Sequence, residues 1–370
     1  MNFSYWEKEY LIPPSDYLIV GMGLVGLQTA INLKEKHPKA NVSVVDRHGW
    51  GLGASTRNAG FGCFANVSEI IDDLKNDTAE NVYQTVGKRY RGLKLLREKY
   101  GDKNMDYQTK GSQEIFTKLN SEALAQGIDS IRGINTILDQ ELGLDRVFTY
   151  TSKSSLPNVI GSIQNSYEGQ LNTGRLYQTI YHHAQTMGIQ LWGGLEVKSW
   201  DRTHSFHVKT QHNITLKTKH LILCTNAFTP LLVNENIKPC RGQVIVSEPI
   251  DNLPIEGLYH YDNGYYYWRD IDHRILLGGA RNIDIDGETS FALETNDKVV
   301  RELERFMEEQ IVGRPVKIDY KWSGIMGMGK SQQKNPIIKE IEPQLFIAAR
   351  LGGMGVALSA SVAEDLVNLM

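Results

Sequence analysis

The sequence predicts an α/β protein, α+β overall, in which a domain built on a parallel sheet carries an inserted, mainly antiparallel β domain. Three patterns predict this class: a strand–turn–helix–strand unit over residues 16–46, a strand–turn–helix unit over residues 345–369, and two extended runs within residues 264–279. Units of the first kind form parallel sheets with right-handed crossovers. Adjacent extended runs joined by a short turn form antiparallel hairpins. A chain of 370 residues has room for two domains at about 100–200 residues each.

The first unit begins with a short apolar run at residues 17–20, which is too short for a helix and is bounded by glycine. Apolar residues then recur at helical spacing over residues 27–33, until His37 and Pro38 end the helix. A second apolar strand at residues 42–46 ends on Asp46. The unit is therefore predicted to form a strand, a helix and a second strand parallel to the first.

Glycines occupy positions 21, 23 and 26 of this unit, in the spacing GxGxxG, and Asp46 follows 20 positions after the last of them. Gly21 permits the tight turn, Gly23 lets the backbone approach a pyrophosphate, and Gly26 lets helix and strand pack closely. The helix N-terminus offers free N–H groups and positive partial charge to phosphates. Asp46 can accept hydrogen bonds from ribose hydroxyls and would repel a 2′-phosphate. The unit predicts a Rossmann-type dinucleotide site, the alternative being an ordinary glycine-rich turn, and it does not distinguish NAD from FAD.

Later segments extend the same architecture. Helices are predicted at residues 174–187 and 297–311, and a buried strand at residues 221–224. The hairpin runs 264–268 and 274–279 would place Tyr265 and Tyr267 on one face and Tyr266 and Trp268 on the other. A terminal strand at residues 345–349 leads through a glycine-rich turn into a helix at residues 356–369.

Composition excludes several classes of protein. The net charge is −3, with 40 basic and 43 acidic residues, so the basic surplus of a nucleic-acid-binding protein is absent. The three cysteines, at positions 63, 224 and 240, form no CxxC pattern and predict neither a disulfide scaffold nor a structural zinc site. We expect no metal, no membrane span and no signal peptide, and therefore a cytoplasmic protein.

The segment after Asp46 is polar and rich in glycine, so it is predicted to be a loop that runs along a ligand. Its sequence GASTRNAGF at residues 53–61 resembles the corresponding segment of the D-amino-acid oxidase superfamily of FAD-dependent oxidoreductases, which includes glycine, sarcosine and γ-glutamylputrescine oxidases. Further motifs match in the same order along nearly the whole chain. They are SYW at 4–6, EGQLN at 168–172, CTNAFTP at 224–230, RGQ at 241–243, WSG at 322–324 and GGMG at 352–355.

The resemblance implies a two-domain flavoprotein. Its FAD domain would comprise residues 1–106, 166–232 and 320–370, and its substrate domain residues 107–165 and 233–319. The terminal glycine turn would lie beside the pyrimidine end of the flavin, where backbone N–H groups and a helix dipole stabilise negative charge. The residues implied to bind FAD are Gly21, Gly23, Leu24, Val25, Gly26, Asp46, Arg47, Ala54, Ser55, Thr56, Arg57, Asn58, Ala59, Gly60, Phe61, Val197, Thr225, Asn226, Gly324, Gly352, Gly353, Met354, Gly355 and Val356.

The implied reaction is oxidation of a C–N bond in a small amine or amino acid, by hydride transfer to flavin N5 to give an imine. No catalytic triad is expected, because the chemistry belongs to the cofactor. Relatives clamp a substrate carboxylate with arginine, whereas this chain has Met326 at the position where glycine oxidase carries its arginine. The candidate substrate pocket therefore comprises Tyr265, Tyr267, Met326, Arg57 and Arg281, with Arg269 and Arg350 as further possible clamps. Either one of these arginines binds a carboxylate or the substrate lacks one.

The sarcosine-oxidase branch attaches its flavin through a cysteine near the position of Gly324, and no cysteine lies there in this sequence. The FAD is therefore predicted to be non-covalent. The alternatives are a non-catalytic flavin-binding sensor or assembly protein and an NAD-dependent dehydrogenase. The sequence leaves the electron acceptor and the oligomeric state open.

Overall fold

The computed structural model describes residues 4–154, 156–253, 255–330 and 334–370. The helices are α1 (Leu24–Lys36), α2 (Ala54–Arg57), α3 (Val67–Asn76), α4 (Ala79–Tyr100), α5 (Asp102–Met105), α6 (Ser121–Leu142), α7 (Thr173–Thr186), α8 (Asp297–Phe306) and α9 (Gly355–Leu369). The strands are β1 (Ser15–Val20), β2 (Val42–Val45), β3 (Phe61–Gly62), β4 (Ser112–Thr117), β5 (Phe148–Thr151), β6 (Val159–Asn165), β7 (Gly169–Gln170), β8 (Gln190–Trp192), β9 (Val197–Arg202), β10 (Phe206–Thr210), β11 (Thr215–Leu223), β12 (Lys238–Ser247), β13 (Leu258–Tyr261), β14 (Tyr266–Ile271), β15 (Arg274–Gly279), β16 (Ile318–Met328), β17 (Ile337–Glu342) and β18 (Leu345–Ala349).

The first large sheet has the strand order β17-β18-β11-β1-β2-β8, with β9 and β10 attached through β11. Strands β18, β11, β1, β2 and β8 run parallel to one another along this path, whereas β17 pairs with β18 in antiparallel orientation. Both glycine-rich turns therefore follow parallel strands, β1 and β18, that flank the same central strand β11. The two turns emerge at one edge of the sheet, where ligands bind in folds of this kind.

The second large sheet has the strand order β16-β12-β15-β14-β13-β4-β6-β5 and is antiparallel except between β13 and β4. The predicted hairpin is present as β14 and β15. Tyr266 and Trp268 pack against Phe306 of α8, with ring centroids 4.4 and 5.6 Å away. Tyr267 lies on the opposite face of the sheet, as the alternation predicts. The predicted class, an α/β domain with a mainly antiparallel β domain, is thus confirmed.

The domain boundaries given above stay a prediction. The boundary at residue 320 falls within β16, which pairs with β12 of the second sheet over the whole stretch from Ile318 to Met328. The C-terminal helix α9 packs against α1 and α4. Close packing with α4 requires a glycine at position 92, because a Cβ there would lie 2.0 Å from the Ala357 carbonyl oxygen.

Among the described helices, none combines the length and the apolar character that a membrane span needs.

Glu114 of β4 is a buried carboxyl group that makes the stability of the fold depend on pH. Its Oε2 accepts a hydrogen bond from the Ser68 N–H at 3.2 Å, and burial raises its pKa to about 7. In the folded protein the Glu114 carboxyl group therefore stays protonated up to about pH 7, whereas in the unfolded chain it loses its proton near pH 4.5. The contribution to stability is present at low pH and is lost as the pH rises through that interval.

We expect Glu114→Gln to remove this loss, because the amide keeps the acceptor oxygen and cannot ionise. Between pH 5 and pH 8 the free energy of unfolding should shift by about 2–3 kcal/mol in favour of the variant relative to wild type. Urea unfolding at several pH values measures this difference. Glu122→Gln, at an exposed position of α6, is the matched control and should show no such shift. A constant difference between Glu114→Gln and wild type across the range would contradict the prediction.

Candidate active site

The turn between β1 and α1 needs glycine for steric reasons. Gly21 has φ = +110°, and a Cβ there would lie 2.5 Å from the Cys224 carbonyl oxygen. A Cβ on Gly26 would lie only 1.9 Å from the Gly21 carbonyl oxygen, so the first turn of α1 packs directly on the preceding loop. Both contacts are to backbone, which cannot move aside. The close packing predicted for Gly26 is therefore present.

The N-terminus of α1 is formed by Gly23, with Leu24, Val25 and Gly26 as its first buried turn. Ser55 Oγ accepts a hydrogen bond from the Leu24 N–H at 2.9 Å, and a Cβ on Gly23 would lie 2.8 Å from the same oxygen. Ser55 thus reaches across to the helix N-terminus, where the free N–H groups and the helix dipole favour an anion. The sequence pattern gave no sign of this contact.

Asp46 and Arg47 follow β2 and line the same cleft as the glycine turn. The Asp46 carboxylate accepts hydrogen bonds from the N–H groups of Met22, at 2.9 Å, and His48, at 3.0 Å. A carboxylate has about four acceptor positions, so acceptor capacity remains for ribose hydroxyls. The Arg47 guanidinium carbon lies 3.8 Å from the centre of the Phe228 ring, a cation–π contact that fixes Arg47 in the cleft wall.

The cleft itself encloses about 880 Å³ of free space, part of it open to solvent. It brings together residues from Val20 to Ile325, which lie about 300 positions apart in the sequence. The predicted site residues that line it are Gly21, Gly23, Asp46, Arg47, Ala54, Ser55, Val197, Thr225 and Asn226.

The segment from Ala54 to Phe61 differs from the predicted loop. Residues Ala54–Arg57 form one helical turn, α2, and Phe61 begins strand β3. Side chains within the segment hold its shape: Thr56 Oγ1 donates to the Gly51 carbonyl, and Asn58 Nδ2 donates to the Ser55 carbonyl. The prediction of a loop was wrong for residues 54–57, because polar side chains in this segment form local hydrogen bonds that stabilise a turn.

The other end of the segment contacts the second sheet. Ala59 is buried with Leu276 and Val244 of that sheet, and the Gly60 N–H donates to Asn58 Oδ1 at 2.9 Å. The Phe61 ring meets the Tyr267 ring edge-on, with centroids 5.5 Å apart. The segment therefore runs from the cleft to the face of the second sheet that carries Tyr267.

The terminal glycine turn lies next to this cleft, but residues 352–356 do not line it directly. Asn226, with φ = +43°, accepts hydrogen bonds on Oδ1 from the N–H groups of Arg350, at 3.1 Å, and Leu351, at 3.3 Å. The Gly352 N–H donates to the Gly327 carbonyl at 3.0 Å. Asn226 thus connects the cleft to the turn formed by Gly352, Gly353, Met354, Gly355 and Val356, from which α9 begins.

Helix α9 also contacts α1 directly, because Gln28 Nε2 donates to Ser359 Oγ at 3.0 Å in a buried hydrogen bond. The two ends of the chain are therefore joined beside the nucleotide cleft.

Four predicted substrate residues divide between two neighbouring groups on the second sheet. A Cβ on Gly242 would lie 3.3 Å from Met326 Cε and 3.9 Å from Tyr267 Oη, so both side chains lie over Gly242. Arg281 Nη1 donates to Cys240 Sγ at 3.2 Å, and its guanidinium carbon lies 5.3 Å from the Tyr265 ring centre. Cys240 pairs with Met326 across β12 and β16, which joins the two groups.

Burial raises the pKa of Tyr267 to about 12, and the positive charge of Arg281 opposes that rise. The Tyr267 hydroxyl consequently remains protonated at neutral pH and can donate a hydrogen bond. A phenol and a cation therefore lie near each other on this face of the second sheet.

The structure separates the candidate arginine clamps. Arg269 is buried, and it donates from Nε to the Ala59 carbonyl and from Nη2 to the Leu171 carbonyl. Arg350 donates from Nε to the Asn335 carbonyl, and burial lowers its pKa. Both side chains support backbone. Among the described residues, by contrast, Arg281 makes one side-chain hydrogen bond, to Cys240 Sγ.

Arg57 connects the segment of residues 54–61 to β16. Its Nη1 donates to the Ser323 carbonyl at 2.8 Å, its own carbonyl accepts from Trp322 Nε1 at 2.9 Å, and its Cβ lies 3.3 Å from where a Gly324 Cβ would be. Its Nε is buried and has no hydrogen-bond partner in the part of the chain that the structure describes. A buried unsatisfied donor beside the cleft is consistent with a bound polar ligand.

Cys240, which contacts Arg281 and pairs with Met326, was not among the residues predicted for the substrate site. The flavin-linking cysteine of the sarcosine-oxidase branch lies near the position of Gly324 in sequence, whereas Cys240 comes from the adjacent strand β12. Pairing between β12 and β16 could have indicated it only if the register had been known.

Taken together, a glycine cradle, a helix N-terminus, an acidic residue ending β2 and a shared cleft define a dinucleotide-binding protein of Rossmann type. The chain belongs to the FAD-dependent oxidoreductase family, because the model of the family described as "FAD dependent oxidoreductase" matches residues 16–369. The predicted enzyme class and cofactor are therefore confirmed, and FAD is favoured over NAD.

Individual relatives agree with this assignment. The chain is 24% identical over 411 residues to a protein described as probable oxidoreductase OrdL from Haemophilus influenzae, covering 97% of this chain and 87% of that protein. Its fold is similar to that of glycine oxidase from Geobacillus kaustophilus, with a TM-score of 0.74, 18% identity and coverage of 96% and 95% of the two chains. The L-proline dehydrogenase from P. horikoshii gives a TM-score of 0.72 at 19% identity, covering 97% and 93%.

Proposed function

We propose that this protein oxidises the C–N bond of a small amine or amino acid that carries a carboxylate, with a non-covalently bound FAD. When bound, FAD supplies a two-electron acceptor that takes a hydride at flavin N5 from the carbon bearing the nitrogen, which leaves an imine. The observation that carries the proposal is the convergence of Tyr267, Arg281 and Met326 on the sheet face that Phe61 contacts. Names of similar proteins, such as glycine oxidase and L-proline dehydrogenase, support an amine substrate.

In this proposal, each group of residues implied to bind FAD would contact a particular part of the cofactor. The N-terminus of α1, with Gly21, Gly23 and Ser55, would hold the pyrophosphate. Asp46 would accept hydrogen bonds from the ribose, while Val197 and Arg47 would flank the adenosine. The turn at residues 352–356 and the N-terminus of α9 would place N–H donors and positive dipole charge where the reduced flavin becomes negative.

On the substrate side, Arg281 would bind the carboxylate and Tyr267 would donate a second hydrogen bond to it. The aromatic and thioether groups of Phe61 and Met326 would exclude water around the carbon that is oxidised. Arg281 thus stands in for the arginine that Met326 replaces. The acid–base demand is small, because the amine needs only to be neutral.

An anaerobic panel of amines, N-methyl amino acids and D- and L-amino acids tests the reaction. We expect at least one compound with both an amine and a carboxylate to bleach the flavin absorbance. If no compound bleaches fully bound FAD, the protein is a flavin-binding sensor or assembly protein instead. Acid precipitation should release the flavin into the supernatant, and flavin retained in the pellet would contradict non-covalent binding.

Replacing Arg281 tests the carboxylate clamp. Arg281→Gln should raise KM for the best substrate roughly thirtyfold, since a charged hydrogen bond contributes about 2 kcal/mol. FAD content should stay at the wild-type level. Arg301→Gln, at an exposed position of α8, is the matched control and should leave KM unchanged. An unchanged KM in Arg281→Gln would show that the substrate carboxylate, if present, binds elsewhere.

A further inference from the structure

A second cluster of reactive side chains lies away from the nucleotide cleft, where the short strands β3 and β7 pair. Phe61 pairs with Gln170 and Gly62 with Gly169, so the same register places Cys63 and Glu168 side by side. His260 of β13, in the second large sheet, completes the cluster. Its Nε2 lies 3.6 Å from Cys63 Sγ, and one ligand atom from each of the three residues lies within 4.8 Å of the other two.

All three side chains are buried, and the Glu168 carboxylate is only partly satisfied. Glu168 is fully buried, with Oε1 accepting hydrogen bonds from the N–H groups of Phe64, at 2.7 Å, and Ala65, at 3.0 Å. Among the described residues, its buried Oε2 has no partner at hydrogen-bond distance, and the Ser112 hydroxyl and the Cys63 thiol are polar groups beside the carboxylate. Buried polar atoms without partners are rare because each costs free energy. The free oxygen beside a thiol and an imidazole therefore indicates a missing ligand.

Two cations near this cluster are paired with a different carboxylate. Arg89, whose Nη1 donates to the Phe64 carbonyl at 3.2 Å, and Lys334 both form ion pairs with Glu69, at 3.2 and 2.9 Å. A metal binds a thiolate, a neutral imidazole and a carboxylate, so its positive charge would offset the two negative charges of this ligand set.

We propose that Cys63, Glu168 and His260 bind one Zn²⁺ ion. Thiolate, imidazole and carboxylate are together the ligand set that zinc accepts. With Zn–S near 2.3 Å and Zn–N near 2.0–2.1 Å, tetrahedral coordination puts sulfur and nitrogen about 3.6 Å apart, which matches the separation of Cys63 Sγ and His260 Nε2. Binding releases the thiol proton to solvent, and the thiolate and carboxylate then balance the two charges of the metal.

Such an ion would have a structural role. Cys63 and Glu168 belong to the strand pair that follows the nucleotide-binding segment, whereas His260 belongs to the second large sheet. The metal would therefore join the two parts of the molecule at a buried point. Three protein ligands leave one tetrahedral position for water or for the second oxygen of Glu168. This inference does not depend on the proposed reaction.

The test uses the full chain purified with its FAD from cells grown with added zinc. Elemental analysis should find about one zinc per chain, and X-ray absorption at the zinc edge should show one sulfur near 2.3 Å with nitrogen or oxygen near 2.0–2.1 Å. Cys63→Ala should lower the zinc content at least fivefold and remove the sulfur signal. Cys224→Ala, which removes a buried thiol outside the cluster, should keep the zinc.

Three results would each overturn the proposal. They are wild-type protein with far less than one zinc per chain, zinc whose spectrum shows no sulfur, and zinc that Cys63→Ala retains in full. If Cys63→Ala does not fold, His260→Gln takes its place as the test variant. The X-ray absorption spectrum of the wild-type protein tests the proposal without any variant, because it shows whether sulfur binds the zinc. A metal-free protein would show that Cys63 and His260 form a hydrogen-bonded thiol–imidazole pair beside Glu168.

Discussion

A Gly23→Val variant is expected to fold but to purify colourless, having lost nearly all of its FAD. The added Cβ would lie 2.8 Å from Ser55 Oγ, which accepts the hydrogen bond of the Leu24 N–H. The branched side chain would displace Ser55 and occupy the space in front of the α1 N-terminus, where we propose that the pyrophosphate binds. We expect the affinity for FAD to fall by roughly a hundredfold or more.

The ratio of flavin to protein absorbance measures this loss, and a fluorescence titration of the apoprotein gives the affinity. Gly133→Val is the matched control, because a Cβ at that position in α6 would have no neighbour within 4 Å. It should purify yellow. A Gly23→Val protein with a full complement of FAD would mean that the pyrophosphate does not bind at this turn.

The second large effect concerns stability and centres on Arg241 of β12. Its guanidinium donates from Nη2 to Glu288 Oε1 at 3.0 Å and from Nη1 to the Glu294 carbonyl at 2.9 Å. Glu288 is fully buried and also accepts from Gln243 and Asn296. Arg241→Met would leave this carboxylate buried without its cation, and we expect a loss of about 3–5 kcal/mol in the free energy of unfolding.

Urea unfolding of the purified variant measures the loss. The double variant Arg241→Met/Glu288→Met removes the stranded charge as well and should recover part of the stability, since pairs in contact are not additive. A loss below about 1 kcal/mol for Arg241→Met would contradict a structural role for the pair. A double variant no more stable than the single one would show that packing, and not the buried charge, causes the loss.

Local patterns predicted most of the elements around the cofactor. The strand ending at Val20, the helix ending at Lys36 and the terminal helix ending at Leu369 follow from apolar periodicity and from glycine or proline at their ends. The hairpin of β14 and β15 was predicted from two extended runs and the turn between them. These features depend on residues within about 30 positions of one another, so a single sequence contains the information.

Contacts between distant segments could not be predicted in this way. The hydrogen bond from Leu24 to Ser55, the link from Asn226 to Arg350 and the ion pair of Arg241 with Glu288 each depend on the packing of separate elements. For the same reason, the sequence alone could not decide which of several arginines would bind a substrate carboxylate. It also gave no indication that Cys63, Glu168 and His260 lie together. Their spacing in the chain matches no metal-binding motif, since the pairing of β3 with β7 and the packing of β13 against this pair bring them together.

The most direct test of the account is a crystal structure of the protein purified with its flavin. It should contain one FAD per chain, with the adenosine beside Asp46 and Val197 and the flavin ring between residues 352–356 and the Tyr267 side of the second sheet. A flavin ring bound far from the C-terminal turn, or a dinucleotide in any other cleft, would contradict the claim that both ends of the chain bind one cofactor.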